Sequence, residues 1–261
     1  MIFDCFPFND EWEVLEIRLN ELYDDVDCFV IAEGNLTHSG KPKETHLANL
    51  LSDKSPSFID KFRHKIINYV VDLTPYNKPW ERENAQRNGL MKVLEGMEWS
   101  SLILLSDADE IPSKEFIFQR EGRVSPVKTP FLLSKQFFYY YNFKQRKKEQ
   151  CHGTIGFFKC SLEDSKETFQ NLRDKRFTLP AMKDAGWHLS FFGSPQHIKN
   201  KIESFAHTEF GSHNDLKVIE DNIKNSKDIF NRTGSEELVI IENNMEVPNY
   251  VLDNEKYKHL F

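Results

Sequence analysis

No apolar run in this chain approaches the roughly 18–20 residues needed to cross a bilayer. The opening MIFDCFPFNDEWE lacks a basic stretch followed by an apolar one, so it reads as no signal peptide and points to the cytoplasm. Cysteine is scarce. Cys5, Cys28, Cys151 and Cys160 are the only four in 261 residues. They lie too far apart for a metal clip and are too few for a disulfide framework, which leaves buried, reduced thiols as the expectation. Positive charge is in deficit, with 34 Lys and Arg against 41 Asp and Glu and a net charge of −7. Such a surface is a poor partner for a phosphate backbone, so general nucleic-acid binding is excluded. Also missing are the H-E-x-x-H pair of zinc hydrolases, the G-x-S-x-G elbow and the G-x-G-x-x-G fingerprint.

What is present is a chain long enough for a sizeable core and read as a single domain. Its 39% hydrophobic and 29% charged residues argue against disorder. Strand-like and helix-like runs alternate, which predicts α/β architecture. Strands are expected over Met1–Phe8, Cys28–Ala32, Ile66–Val71 and Ser101–Leu105, with helices over Asp10–Tyr23 and Pro79–Glu95. A fresh helix is expected to start at Pro112-Ser113. In the second half Phe131–Phe143 reads as a long strand able to pair with Gly153–Cys160, the polar Lys144–Gln150 forming the hairpin tip. Pro195–Ala206 and Asp215–Lys227 read as helices, and the tail after Ser235 carries no clear pattern.

The sharpest chemical feature is Asp107-Ala108-Asp109 directly after the buried strand SLILL. Open α/β sheets bind ligands at the carboxyl ends of their strands. Two carboxylates there repel one another unless a cation neutralises them, and hard oxygen ligands select Mg²⁺ or Mn²⁺. The competing interpretation is a plain helix N-cap. Glu33 ends the apolar strand CFVIA, where a carboxylate either accepts hydrogen bonds from a ribose or base or is an ordinary polar strand exit. In WERENAQRN, Glu83 and Arg87 lie four apart on a helix, as do Arg82 and Gln86. They are either diphosphate-binding arginines or a solvated ion-paired face. Ala185-Gly186-Trp187-His188 offers an imidazole ligand and a ring for stacking on a sugar, or simply a hydrogen-bonded structural histidine.

Four strings taken together resemble glycosyltransferase family 17: FPFNDEWEVLEIRLNELYDDVDCFVIAEGNLTHSGKPK, WERENAQR, LILLSDADEIP and AGWHLSFFG. The resemblance implies a GT-A-like, Rossmann-type nucleotide-sugar-binding fold with a mostly parallel central sheet and flanking helices. Residues 1–112 would form the donor half and 113–261 the acceptor side. It implies a metal-dependent, inverting transfer from a nucleotide sugar, UDP-GlcNAc in the characterised branch, to a glycan acceptor, with Mn²⁺ or Mg²⁺. On this basis Asp107, Asp109 and His188 are candidate metal ligands. Glu33, Arg82, Arg87, Asp107 and Trp187 are candidates for the donor, and Asp184 and Glu209 for the general base. Rival functions are a non-catalytic glycan-binding module and a metal-dependent nucleotidyltransferase. The second usually needs a phosphate-cradling glycine loop, and Phe3–Glu11 contains no glycine.

Overall fold

The computed structural model describes residues 1–53, 55–121, 131–232, 238–242 and 244–261. Its centre is β1 (Ile2–Phe8), flanked by two parallel neighbours, β2 (Cys28–Gly34) and β4 (Leu102–Leu105). The strand β3 (Ile66–Val71) extends the parallel sheet beyond β2. These are the apolar runs of the sequence, and β2 and β4 are buried throughout because helices cover both faces. Side chains alternate across the pleat. Phe6, Ile31 and Leu104 therefore join the core under α1 (Trp12–Glu21), and Cys5, Val30 and Ile103 join the one under α3 (Pro79–Leu94). The helix α1 begins two residues later than expected, because Asp10 takes a left-handed turn conformation (φ 66°). A short helix, α2 (His46–Ser52), had no clear signal in the sequence.

After β4 comes a turn carrying the D-x-D, then a three-residue strand, β5 (Glu110–Pro112), before α4 (Lys114–Glu121). The second half joins the first sheet through antiparallel pairs. The long strand β6 (Leu132–Tyr140) pairs with β8 (Cys151–Phe158), and β8 pairs in turn with β4. The expected hairpin tip is corrected here. The chain reverses at Tyr141 (φ 70°), and much of the basic run lies in a strand, β7 (Asn142–Lys147). Lys147 is buried with its ammonium 4.3 Å from the Phe138 ring centre.

Two helices without an expected pattern follow, α5 (Lys159–Ser165) and α6 (Phe169–Asp174). The strands β9 (Ala181–Met182) and β10 (Gly186–Ser190) then pair with β6, and β10 also pairs with β5. The helices α7 (Pro195–Ser204) and α8 (Leu216–Lys224) agree with expectation to within a few residues. Of the unpatterned tail, 235–237 and 243 lie outside the described residues. The rest includes β11 (Leu238–Ile240) and α9 (Asn249–Leu252). The order across the main sheet is β11-β7-β6-β8-β4-β1-β2-β3. This mixed α/β sheet, flanked by helices and parallel at its centre, is consistent with the GT-A-like expectation. Among the described residues no helix is long and apolar enough to cross a membrane.

Candidate active site

A buried arginine builds the site. Arg18 of α1 donates through Nε and Nη2 to both oxygens of Asp4 on β1, at 2.8 and 2.6 Å, with neither side chain exposed. Its remaining N–H groups bond the Ser106 hydroxyl at 2.6 Å and the carbonyls of Asp107, Ala108 and Glu110 at 2.9–3.0 Å. A planar fork with this many acceptors defines the course of the chain around it. The turn after β4 is moulded on Arg18, and Asp107 and Asp109 line the cleft at the strand ends.

The two aspartates differ in their surroundings. Asp107 is clamped by guanidinium groups: Arg87 on Oδ1 at 2.9 Å and Arg173 of α6 on Oδ2 at 2.6 Å. Arg87 also bonds Glu83 at 2.9 Å, and Arg173 pairs with buried Glu110. A Glu110 oxygen in turn accepts the Asp107 amide at 2.9 Å. Burial alone would raise the Asp107 pKa, but Arg173 and Arg87 outweigh it and hold the carboxyl well below the usual range. Asp109 meets the Lys201 ammonium of α7 at 2.7 Å on Oδ2, and His188 Nε2 of β10 lies 3.5 Å from Oδ1. Burial again works against ionisation, and Lys201 and His188 override it. The pKa of His188 is raised well above normal, since the Asp109 charge outweighs desolvation.

His188 is held from three directions. Its Nδ1 faces the Cys151 thiol at 3.2 Å, its ring stacks on Phe138 with centres 4.4 Å apart, and β10 fixes its backbone. Gly186 permits that last contact. At φ 136° it lies so close to β5 that a Cβ would come within 2.1 Å of the Ile111 carbonyl oxygen. With Gly186 there, His188 pairs in register with Glu110, and the Leu189 amide bonds the Asp109 carbonyl at 2.8 Å.

Asp109 and His188 would hold a divalent cation, as one carboxylate and one imidazole, once the His188 proton is lost and Lys201 leaves the carboxylate. The remaining positions would be left to phosphate oxygens and water, as Mg²⁺ and Mn²⁺ sites commonly use them. Asp107 carries an arginine on each oxygen, where Asp109 carries a lysine and a histidine. Among the described residues no group of three or more His, Cys, Asp or Glu side chains forms a complete metal cage.

A cleft of about 190 Å³ opens over these residues, between the ends of β1 and β4, α3, β10 and α7. Arg87, Asp107, Asp109 and His188 line it, and Glu11, His38, Gln86 and Lys201 join them. The other expected residues stand elsewhere. Glu33 is fully buried and accepts the Leu47 and Ala48 amides at 3.0 Å each, capping α2 instead of meeting a ligand. Arg82 holds the His38 carbonyl at 3.0 Å from outside the cleft. Trp187 points to the opposite face of β10 from His188, as strand alternation requires, and bonds the Glu246 carbonyl at 2.9 Å. Asp184 is exposed and paired with Gln150, and Glu209 is exposed and bonded to His207 at 2.7 Å. Neither lines the cleft, so their expected role as base is not supported by position. Arg173 was missed because it sits on a short helix without apolar periodicity. Lys201 was missed because one lysine on an amphipathic helix carries no distinguishing mark.

The site lies at the carboxyl ends of the parallel strands, where α/β folds of this kind bind their ligands. Together with the sheet order, that placing is consistent with a GT-A-like fold. The chain belongs to glycosyltransferase family 17, whose model matches residues 1–261. It is similar to the human β-1,4-mannosyl-glycoprotein 4-β-N-acetylglucosaminyltransferase, at 23% identity over 245 residues. That match covers 80% of this chain and 44% of the human protein. The rat and mouse enzymes of the same name match at the same identity over 43% of their length. The chain thus spans under half of these relatives.

Proposed function

We propose that this protein transfers N-acetylglucosamine from UDP-GlcNAc to a glycan hydroxyl with inversion at the anomeric carbon, assisted by Mn²⁺ or Mg²⁺. The observation that carries this is the pairing of Asp109 with His188 beside a guanidinium and an ammonium, Arg87 and Lys201, in one cleft at the strand ends. The names of the mammalian relatives support the choice of sugar.

A divalent ion held by Asp109 and His188 would supply Lewis-acid stabilisation of the leaving diphosphate. Arg87 adds fixed positive charge facing the same developing negative charge, and Lys201 adds a movable one. Arg173 and Glu110 hold Asp107, and Asp107 holds Arg87 in the cleft wall. Glu11 is the proposed base. Of the described carboxylates lining the cleft it alone has no cation closer than 3.9 Å, the distance of Lys201. Its other oxygen accepts the Asn9 amide at 2.8 Å and has capacity for the acceptor's proton.

Calorimetry with UDP, with and without Mn²⁺, tests the donor site, and UDP-GlcNAc turnover tests the chemistry. UDP binding is expected to strengthen with Mn²⁺ and to lose that gain in Asp109→Ala. Glu11→Gln is expected to keep UDP affinity while turnover falls on the order of 10²–10⁴-fold. Turnover confined to GDP- or CMP-sugars would sink the choice of donor, and full activity in Glu11→Gln would remove it as the base.

A further inference from the structure

One end of the cleft holds a hydrogen-bond chain that the chemistry above does not use. Gln86 is buried, and its Nε2 donates to two backbone carbonyls, Phe8 at 3.1 Å and Ala32 at 2.8 Å. Those contacts leave no freedom to exchange the amide's ends, so its Oε1 faces outward as an acceptor. It meets His38 Nε2 at 2.7 Å, which requires that nitrogen to carry the proton. Burial lowers the His38 pKa, so the ring stays neutral and Nδ1 is left as a bare lone pair. A Glu83 oxygen lies 3.9 Å from Nδ1. The other Glu83 oxygen is taken by Arg87. Two acceptors therefore face one another at the cleft wall, and among the described residues none donates to both.

The backbone that carries the ring is tied to its neighbours. Arg82 holds the His38 carbonyl at 3.0 Å, and the next residue is tied to α7 by the Ser39 amide on the Ser204 carbonyl, also at 3.0 Å. Phe8 and Phe205 line the same cleft.

We infer that His38, locked by Gln86 in the Nε2–H tautomer, selects the nucleobase of the donor by accepting its ring N–H, so that uracil is taken and cytosine rejected. Uracil presents an imide N–H at N3, where cytosine presents a bare nitrogen. A cytosine there would place a third acceptor against Nδ1 and Glu83, and an unpaired buried acceptor is strongly penalised. The inference rests on the nucleotide-sugar reading above and adds the group that distinguishes one pyrimidine from the other.

The test is calorimetry of UDP, CDP and GDP on the full chain with Mn²⁺, for the parent and His38→Phe. The parent is expected to prefer UDP over CDP by about 10- to 100-fold. In His38→Phe the ratio is expected to fall to within about threefold while diphosphate binding persists. Equal binding of UDP and CDP by the parent, or an unchanged ratio in the variant, would overturn the inference and leave the donor site standing. No binding of any nucleoside diphosphate by folded parent protein would sink both. ¹⁵N NMR of the His38 ring in the parent gives a second readout independent of the variant's folding. The expected result is a protonated Nε2 and a bare Nδ1 whose resonance shifts on adding UDP. A proton on Nδ1 in the free protein would overturn the proposal.

Discussion

Lys201 occupies a contested position. Its ammonium lies 2.7 Å from Asp109 Oδ2 and 3.9 Å from Glu11. A divalent cation on Asp109 meets like-charge repulsion from it, so the lysine has to turn away, toward Glu11 or toward an incoming phosphate. Lys201→Met is therefore expected to bind Mn²⁺ more tightly than the parent when no nucleotide is present. The gain should be on the order of tenfold, the worth of one ion pair of about 1.4 kcal/mol. Mn²⁺ titration followed by electron paramagnetic resonance measures it, and equal affinities would mean that Lys201 does not compete for the carboxylate. The D-x-D, the G-W-H histidine and Arg87 were legible in the sequence because each lies at or beside a strongly patterned element. Glu33 looked equally placed, yet its carboxylate is consumed by the amides of a seven-residue helix that no periodicity announces.

The short strands β5 and β10 decide whether the histidine reaches Asp109. Their pairing passes through Gly186, where any side chain would collide with the Ile111 carbonyl. Gly186→Ala is expected to destabilise the protein by about 1–3 kcal/mol or more, through strain at a positive φ and displacement of β10. Thermal unfolding reads the loss. Mn²⁺ affinity should fall with it, because His188 moves with the strand. A variant with parent stability and parent Mn²⁺ affinity would show that β10 does not set the histidine's position. The basic run Lys144–Lys148 illustrates the limit of reading elements from composition. Charge suggested an exposed tip, but Phe138 supplies a ring face under Lys147 and β6 and β11 supply backbone partners, so most of the run forms a strand.

At the scale of the molecule, the net charge of −7 conceals a cationic framework gathered around two aspartates. Asp107 and Asp109 both have pKa values held below those of an unfolded chain by that framework. The folded state thus binds fewer protons than the unfolded one at acid pH. The stability they contribute is present above the unfolded carboxylate value, about 3.9, and is lost as pH falls below it toward their folded values. Urea unfolding across pH 2–6 is expected to show a steep acid loss that is shallower in Asp109→Asn. An identical slope in the two proteins would mean that this carboxylate is not held ionised by folding.

The α/β alternation, the parallel strands of the first half and the strand-end position of the D-x-D were determined by the amino-acid sequence alone. Each depends on local hydrophobic period and on which residues follow a buried run. The partners of those carboxylates were decided only by the tertiary structure. Arg87, Arg173, His188 and Lys201 come from α3, α6, β10 and α7, and side chains so distant along the chain meet only when the sheet order brings their elements to one edge. For the same reason the cation facing each aspartate, and with it the metal-binding capacity of each, could not be read from the tripeptide.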